Sequence, residues 1–302
     1  MLTEDQIVAR RGRIGASDVA AIFDLDPFRS EFDVWIEKVQ DVEPAPESPA
    51  MAMGNTLERH LLDRAEDRLG PLERGVEVTS GACPVLTATL DGRVLATGEI
   101  VEAKTAGLYW RLEPGWGEPG TAEVPERVTM QVQAQLLCVP EEVQQGHVVA
   151  FLGGRGDCDY LIPRDRVIGQ HIAESLPAWW TLHVVGNVAP SNSRPSLDLL
   201  RRVRRQPEGL GATIAMELIE QYEAAVEARK SAAGIEKTVK ASVIAALGNC
   251  SWAPLPDGRL ADYSEQTSNR LNVTRLRAEL PEVAAQFTEA VSARTLRIKK
   301  GR

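Results

Sequence analysis

Three acidic residues and one lysine are spaced so that they could share one site. Glu58 lies in a stretch, Thr56 to Leu69, that places Leu57, Leu61, Leu62, Ala65 and Leu69 on one helical face, with Gly70 where a C-terminal cap belongs. Asp91 lies near the end of a strand-like run. Glu102-Ala103-Lys104 lies on the next run, where period-two alternation points Glu102 and Lys104 to the same face. Hydrolysing a phosphodiester requires charge neutralisation at the phosphorus and an activated water, and hard oxygen ligands holding Mg²⁺ supply both. A lysine adds a point charge beside the attacking water or the phosphate oxygens. Each piece alone has a plainer reading. A Glu-x-Lys triplet turns up by chance, Asp-Gly is a common hairpin turn, and a helical glutamate is usually just solvated. The combination is stronger, because order, spacing and element type agree: helix Glu, strand Asp, strand Glu-x-Lys, then a helix bearing Gln131-Val132-Gln133.

The elements that must position these residues follow from the pattern of the chain. Ser17 is placed to cap a short helix through Ala20, Ala21 and Ile22, and Ser30 with Asp33 makes a capping box for a helix to about Gln40. Asp41 to Ala50, rich in Pro and Glu, reads as a loop. From Val76 to Lys104 the runs are short and alternating or apolar, with Asp91-Gly92 as a turn signal between two strands. Helix returns over Val128 to Val139, Gly146 to Leu152 is a buried strand, and Arg164 to about Val185 is a helix carrying Trp179 and Trp180. This order predicts an α/β arrangement around one sheet. A composition shift near 190–210, marked by Pro190 and Pro195, divides residues 1–205 from an extension over 206–302. The extension opens with a long helical stretch, Thr213 to Leu247. Strand-like pieces follow near Trp252 and Leu260, then a helix from about Val273 and a strand-like Thr295 to Ile298, giving a helical or α+β unit. Ile214, Leu218, Ile219, Tyr222 and Val226 fall at core-like spacing on its long helix, and Arg294, Arg297, Lys299, Lys300 and Arg302 make a basic tail.

At 302 residues with 43% hydrophobic and 25% charged residues, the chain has the composition of a folded globular protein. No apolar run approaches the roughly 18 residues needed to span a bilayer, and the first residues lack a signal-peptide pattern, so a cytoplasmic, non-membrane protein is expected. Cys83, Cys138, Cys158 and Cys250 form no CxxC pair, which argues against a zinc or iron–sulfur site and for buried free thiols. His60, His147, His171 and His183 have no metal-ligand spacing, and no GxxxxGK[ST] loop points to ATP. The net charge of -9 does not suggest a protein that coats nucleic acid. Basic residues nevertheless cluster at Arg10-Arg11-Gly12-Arg13, at Arg201 to Arg205 and in the tail, where a solvated face is the default reading.

At the acidic motif the sequence resembles the YqaJ-type viral recombinases, relatives of the lambda-phage exonuclease within the PD-(D/E)XK nuclease superfamily. Beyond the motif, Ile14-Gly15-Ala16-Ser17-Asp18-Val19-Ala20-Ala21-Ile22 resembles the family's N-terminal signature. The Pro27-Phe28 turn and the helix with Trp35 follow it, and Gly54-Asn55-Thr56-Leu57-Glu58 resembles the helix supplying the first carboxylate. Leu90-Asp91-Gly92 and Glu102-Ala103-Lys104-Thr105 resemble the metal motif, and Gln131-Val132-Gln133 the helix behind it. Leu90 stands where the family usually has Pro, and Gly15 replaces a hydroxyl residue found in some relatives. Coverage runs from about residue 10 to 185.

The resemblance implies a PD-(D/E)XK core, a central mixed sheet flanked by helices. It implies that Glu58, Asp91 and Glu102 bind or organise two Mg²⁺ ions, with Mn²⁺ substituting and the Ala103 carbonyl as a further ligand. Lys104 would position the nucleophile, and Gln131 or Gln133 would orient Lys104 or the substrate strand. Arg10 and Ser17 resemble positions that hold a terminal 5′-phosphate, with Arg11 and Arg13 competing with Arg10 for that role. A helix beginning at Ser17 is physically suited to an anion. The implied activity is 5′→3′ exonucleolytic digestion of linear double-stranded DNA, producing single strand for recombination. A ring-shaped homo-oligomer and a single-strand annealing protein are the implied partners. A structure- or sequence-specific endonuclease on the same core, and a non-catalytic DNA-binding or assembly module, are the competing readings.

Overall fold

The computed structural model describes residues 11–107, 115–191, 193–205, 211, 213–289 and 295–298. The chain divides into two compact units, Met1–Arg205 and Gln206–Arg302.

The first unit is an α/β fold, a six-stranded mixed sheet flanked by helices. In chain order it contains β1 (Ile14–Gly15), a 3₁₀ turn (Ala16–Asp18), α1 (Val19–Ile22), α2 (Glu31–Val39) and α3 (Pro49–Leu69). Then come β2 (Leu72–Thr79), β3 (Leu86–Val94), β4 (Ile100–Ala106), α4 (Glu126–Leu137), β5 (Gln145–Leu152), β6 (Gly156–Pro163), α5 (Arg166–Trp179), a π-helical turn (Trp180–Val185) and α6 (Leu197–Arg202). β2, β3 and β4 form an antiparallel meander, α4 crosses over to place β5 parallel to β4, and β6 returns antiparallel to β5. This is the central mixed sheet flanked by helices that the sequence predicts.

Two cores share that sheet. On one face, Leu86, Ala88 and Leu90 of β3, Ile100 of β4 and Val148, Ala150 and Leu152 of β5 pack with Val128, Val132 and Leu136 of α4. On the other, Val94, Val101 and Val149 pack with Leu61, Leu62 and Ala65 of α3. A buried leucine or valine contributes about 1.5–3 kcal/mol relative to exposure, so these stripes fix which face of each helix meets the sheet.

Several local expectations are met by their physical causes. Ser30 and Asp33 form the capping box of α2: Asp33 N donates to Ser30 Oγ and Ser30 N donates to Asp33 Oδ2, each at 3.1 Å. Other expectations need correction. The helix bearing Glu58 starts at Pro49 rather than Thr56, because Ser48 caps it by accepting from Met51 N at 3.2 Å and Pro49 occupies the first turn. The predicted loop is therefore shorter by its last two residues. Asp91-Gly92 is not a turn: both residues lie inside β3, and the reversal comes at residues 95–99, where Gly98 adopts φ 75°. Strand β6 and helix α6 were not anticipated. Cys83 and Cys158 are buried as expected and Cys138 is partly so, whereas Cys250 is exposed.

The basic run at Arg201–Arg205 is tied down locally. Val203 bridges to Val42, Arg204 N donates to Asp41 O at 2.7 Å and Arg202 Nη1 donates to Glu43 O at 2.8 Å.

The second unit contains α7 (Met216–Leu247), a hairpin of β7 (Trp252–Pro254) with β8 (Leu260–Asp262), α8 (Val273–Glu279) and α9 (Pro281–Gln286). None of the α7 residues is buried, so its apolar positions do not form a covered stripe. Thr295–Ile298 is not a strand. Arg294, Lys299, Lys300 and Arg302 lie outside the described residues, which leaves Arg297 of the expected basic tail.

Candidate active site

The site forms where the sheet splits. β3 and β4 pair only through Gly92 with Val101 and Arg93 with Ile100. Beyond Val101, β4 continues against β5 as far as Ala106 opposite Leu152, while the start of β3 takes β1 as its parallel neighbour at Leu86 and Thr87. A fork therefore opens between β3 and β4, closed at its far end by β1. Asp91 stands in it: the Ala103 N–H, which a regular ladder would give to a β3 carbonyl, donates instead to Asp91 Oδ2 at 2.8 Å. A strand residue directs its N–H and C=O to the same edge, so the Ala103 carbonyl also faces the fork.

Glu102 and Lys104 share the α4 face, as alternation predicts. Glu102 is 3% exposed, and its carboxylate is gripped by three donors. Oε1 accepts from Lys104 Nζ at 2.5 Å and from Gln131 Nε2 at 2.6 Å, and Oε2 accepts from Gln135 Nε2. Gln131 Oε1 in turn accepts from Lys104 Nζ at 2.9 Å, which completes a triangle of Glu102, Lys104 and Gln131. Glu58 projects from α3 and is exposed. Its charge acts on Asp91 nonetheless. Burial pushes the Asp91 carboxyl up to about 8; the charges of Glu102 and Glu58 act in the same direction, while the Ala103 N–H and Lys104 work against them. Buried acidic groups that raise one another's proton affinity in this way favour a cation between them.

Among the described residues, no three His, Cys, Asp or Glu side chains are gathered into a ready-made metal cage. Mg²⁺ does not require one, since it commonly takes one or two carboxylates and fills the remaining positions with water and phosphate oxygens. Asp91, Glu102 and the Ala103 carbonyl are a hard-oxygen donor set of that kind, with Glu58 at its rim.

Gln133 does not join the site. Residues two apart on a helix face away from each other. Gln133 points to the junction of β6 and α5, donating from Nε2 to Pro163 O at 2.7 Å and accepting from Asp165 N at 2.8 Å. Gln135, which the sequence reading does not single out, lies four residues beyond Gln131 on the same face and is 1% exposed. The i, i+4 spacing was the signal that could have found it.

Arg10 lies outside the described residues. Arg13 is exposed and donates from Nη1 to Thr79 Oγ1 at 2.8 Å. Ser17 is exposed within the 3₁₀ turn and is not its cap. That turn begins one residue earlier, with Gly15 at the N-cap, and Asp18 Oδ2 accepts from Gly15 N at 3.0 Å. Asp18 is anchored beneath the turn by Lys38 Nζ at 2.7 Å and Arg29 Nη1 at 2.5 Å. Burial works against the Asp18 charge, and these two cations outweigh it, holding the carboxyl well below the usual range. The exposed Ser17 hydroxyl thus sits on a rigid turn beside the end of the fork that β1 closes.

Glu58 is set over the sheet by ion pairs that the sequence did not announce. Arg64 grips both oxygens of Asp159 on β6 at 2.8 and 2.6 Å, Arg68 also pairs with Asp159, and His60 meets Asp157 at 3.0 Å.

An α/β fold with acidic and lysine side chains gathered in a sheet fork defines the class. Residues 7–141 match the family model of the YqaJ-like viral recombinase domain. The uncharacterized protein YqaJ of Bacillus subtilis (strain 168) is 25% identical over 320 residues, spanning 99% of this chain and 95% of its own. Among solved structures, the alkaline exonuclease LHK-Exo of Laribacter hongkongensis aligns over 61% of this chain and 94% of its own, at 20% identity and a TM-score of 0.47. A phage-related exonuclease from Haemophilus somnus 129PT aligns over 62% of this chain and 86% of its own, at 13% identity and a TM-score of 0.33.

Proposed function

We propose that the protein is a metal-dependent DNA exonuclease that digests linear duplexes 5′→3′ and yields single strand for recombination. The observation that carries this reading is the placement of Asp91 in the β3–β4 fork, beside the buried Glu102–Lys104–Gln131 triangle and within reach of the Glu58 charge. The YqaJ-like domain match supports the recombination context.

In this reading Asp91, Glu102 and the Ala103 carbonyl would hold Mg²⁺, with Glu58 joining from α3. The bound cation would neutralise charge at the scissile phosphate and raise the acidity of the attacking water. The Lys104 ammonium, oriented by Glu102 and Gln131, supplies a fixed positive charge to the nucleophile and the non-bridging oxygens. Gln135 keeps Glu102 from rotating out of line. Ser17, with Arg10, receives the terminal 5′-phosphate. A ring of copies would keep an acidic chain on a polyanion by topology rather than by affinity, and a single-strand annealing protein would receive the product.

The test is digestion of end-labelled linear duplex and of closed circular plasmid, each with Mg²⁺, with Mn²⁺ and with EDTA. Linear DNA should be degraded only with a divalent ion, and the circle should survive. Cutting of the circle would favour an endonuclease. Activity in EDTA, or in Lys104→Met at close to the wild-type rate, would overturn the assignment. A chain that binds duplex but cleaves nothing under any of these conditions would be a binding module.

A further inference from the structure

β3 serves both cores, which a regular strand cannot do with residues of the same parity. Leu86, Ala88 and Leu90 face α4. Two residues beyond Leu90, a Cβ on Gly92 would meet Leu62 Cδ2 of α3 at 3.5 Å and Val101 Cβ at 3.3 Å, and Val94 packs in the α3 core. Side chains two apart normally share a face, so the strand turns over between Leu90 and Gly92, at Asp91. β2 turns over at the same level. Val76 and Val78 pack toward α4, whereas Leu72 packs in the α3 core and Arg74 reaches Asp63 and Glu66 of α3. The ladder has the same register on either side of the turnover, with Arg74 opposite Gly92 and Val76 opposite Leu90, and skips the one position between them. Gly75 therefore stands directly across from Asp91, and it has φ 66°, in the left-handed region.

We propose that Gly75 is a positioning residue for Asp91, whose left-handed backbone lets the β2–β3 ribbon turn over and so directs the Asp91 carboxylate along the sheet plane into the fork. The proposal rests on the metal-site reading above. A residue that resists positive φ at this position drives β2 back toward regular pleating. β3, paired to it on both sides of Asp91, follows, and the bond from Ala103 N to Asp91 Oδ2 is lost. A Cβ on Gly75 would meet nothing within 4 Å, so alanine there perturbs conformation alone and not packing.

The experiment compares the full-length wild type with Gly75→Ala, Gly75→Asn, Gly156→Ala and Asp91→Ala. It reads Mn²⁺ affinity by calorimetry and exchange of the Ala103 amide by NMR. Gly156 also has positive φ, 87°, and open space around it, but begins β6 away from the fork, so it controls for backbone cost alone. Gly75→Ala should bind Mn²⁺ about tenfold more weakly and exchange Ala103 faster, Gly75→Asn should lie between it and the wild type because asparagine tolerates the left-handed region, and Gly156→Ala should match wild type. Wild-type affinity and exchange in Gly75→Ala would overturn the proposal. So would an equal loss in Gly156→Ala. Should Gly75→Ala be too unstable to isolate, Gly75→Asn decides: about threefold weaker binding with faster exchange is expected, because asparagine favours positive φ less than glycine does, and wild-type values for both would overturn it. Undiminished Mn²⁺ binding in Asp91→Ala would instead refute the site reading and leave the backbone role of Gly75 to the exchange data.

Discussion

Replacing Asp91 by Asn should abolish hydrolysis while stabilising the ion-free fold. Asn keeps the shape of Asp and an oxygen to accept from Ala103 N, a bond of 2.8 Å in the wild type, and removes only the charge. The Asp91 carboxyl is raised from 3.8 to about 8 by burial and by the neighbouring Glu102 and Glu58. Between those pH values the folded wild type holds a proton that the unfolded chain has released, so its stability falls as pH rises through the window and levels off above it. At about 1.4 kcal/mol per pH unit, the rise to about 8 sets a ceiling of roughly 6 kcal/mol. Water in the fork and side-chain relaxation relieve part of this, leaving about 1–3 kcal/mol as the expected gain for Asp91→Asn at pH 8.5. The assay is urea unfolding in EDTA at pH 4, 6 and 8.5. The two proteins should nearly coincide at pH 4 and diverge as pH rises, and saturating Mg²⁺ should close or reverse the gap by stabilising only the wild type. An Asn variant less stable than wild type at pH 8.5 in EDTA, or a gap that does not change with pH, would refute the charge-crowding argument.

Gln135→Leu removes a donor from a carboxylate that is 3% exposed, and should cost about 1–3 kcal/mol by urea unfolding and lower kcat as Glu102 gains freedom. Wild-type stability would show that Gln135 does not hold Glu102. Arg10→Ala and Ser17→Ala should slow digestion of 5′-phosphorylated ends more than 5′-hydroxyl ends, because a guanidinium and a hydroxyl on a fixed turn favour the dianion. Equal slowing on both would return Ser17 to a structural role. Light scattering of the full chain with duplex DNA should show a closed oligomer, and monomer alone at micromolar concentration would count against the ring. A chain ending at Arg205 should cleave a short duplex at close to the full rate and lose efficiency on a kilobase duplex; inactivity on both would place residues beyond 205 in the site.

The sequence carried the helix–strand–strand–helix order and the shared face of Glu102 and Lys104, because both follow from periodicity. It misplaced features that depend on contacts between distant segments. Asp-Gly favours a turn locally, yet β3 runs through it. A Cβ on Gly92 would stand 3.3 Å from both Leu72 Cδ1 and Val101 Cβ, so the glycine serves close packing under α3 rather than chain reversal. β6 was hidden by the glycine-rich turn before it and by Asp157 and Asp159, whose charges pair with His60, Arg64 and Arg68 of α3 and leave Cys158, Tyr160 and Ile162 as its inward face. Gln133 was paired with Gln131 by adjacency in sequence, whereas helical geometry pairs Gln131 with Gln135. The long helix α7 was legible from composition, but composition does not tell a covered apolar stripe from an exposed one.

The Gly15–Asp18 turn presents an apparent contradiction that its charges resolve. A phosphate-binding role for Ser17 places a dianion next to Asp18, and an unpaired carboxylate there would repel it. Asp18 is not unpaired: Lys38 and Arg29 flank it, and Arg29 also contacts Glu37, so two positive and two negative groups balance beneath the turn. The balance leaves the local field to the backbone N–H groups, the Ser17 hydroxyl and any arginine that approaches from residues 10–13. It also explains why Asp18 is worth burying. By accepting the Gly15 N–H and two cations at once, it fixes the turn to α2. β1 fixes the same turn to β3 through Ile14 opposite Leu86 and Gly15 opposite Thr87. The turn and Asp91 thus stand on one edge of one strand, four residues apart from Thr87 to Asp91, or about 13 Å at 3.3 Å per residue. In the proposed reading, this fixed spacing sets how far a terminal phosphate held on the turn would lie from the metal held at Asp91.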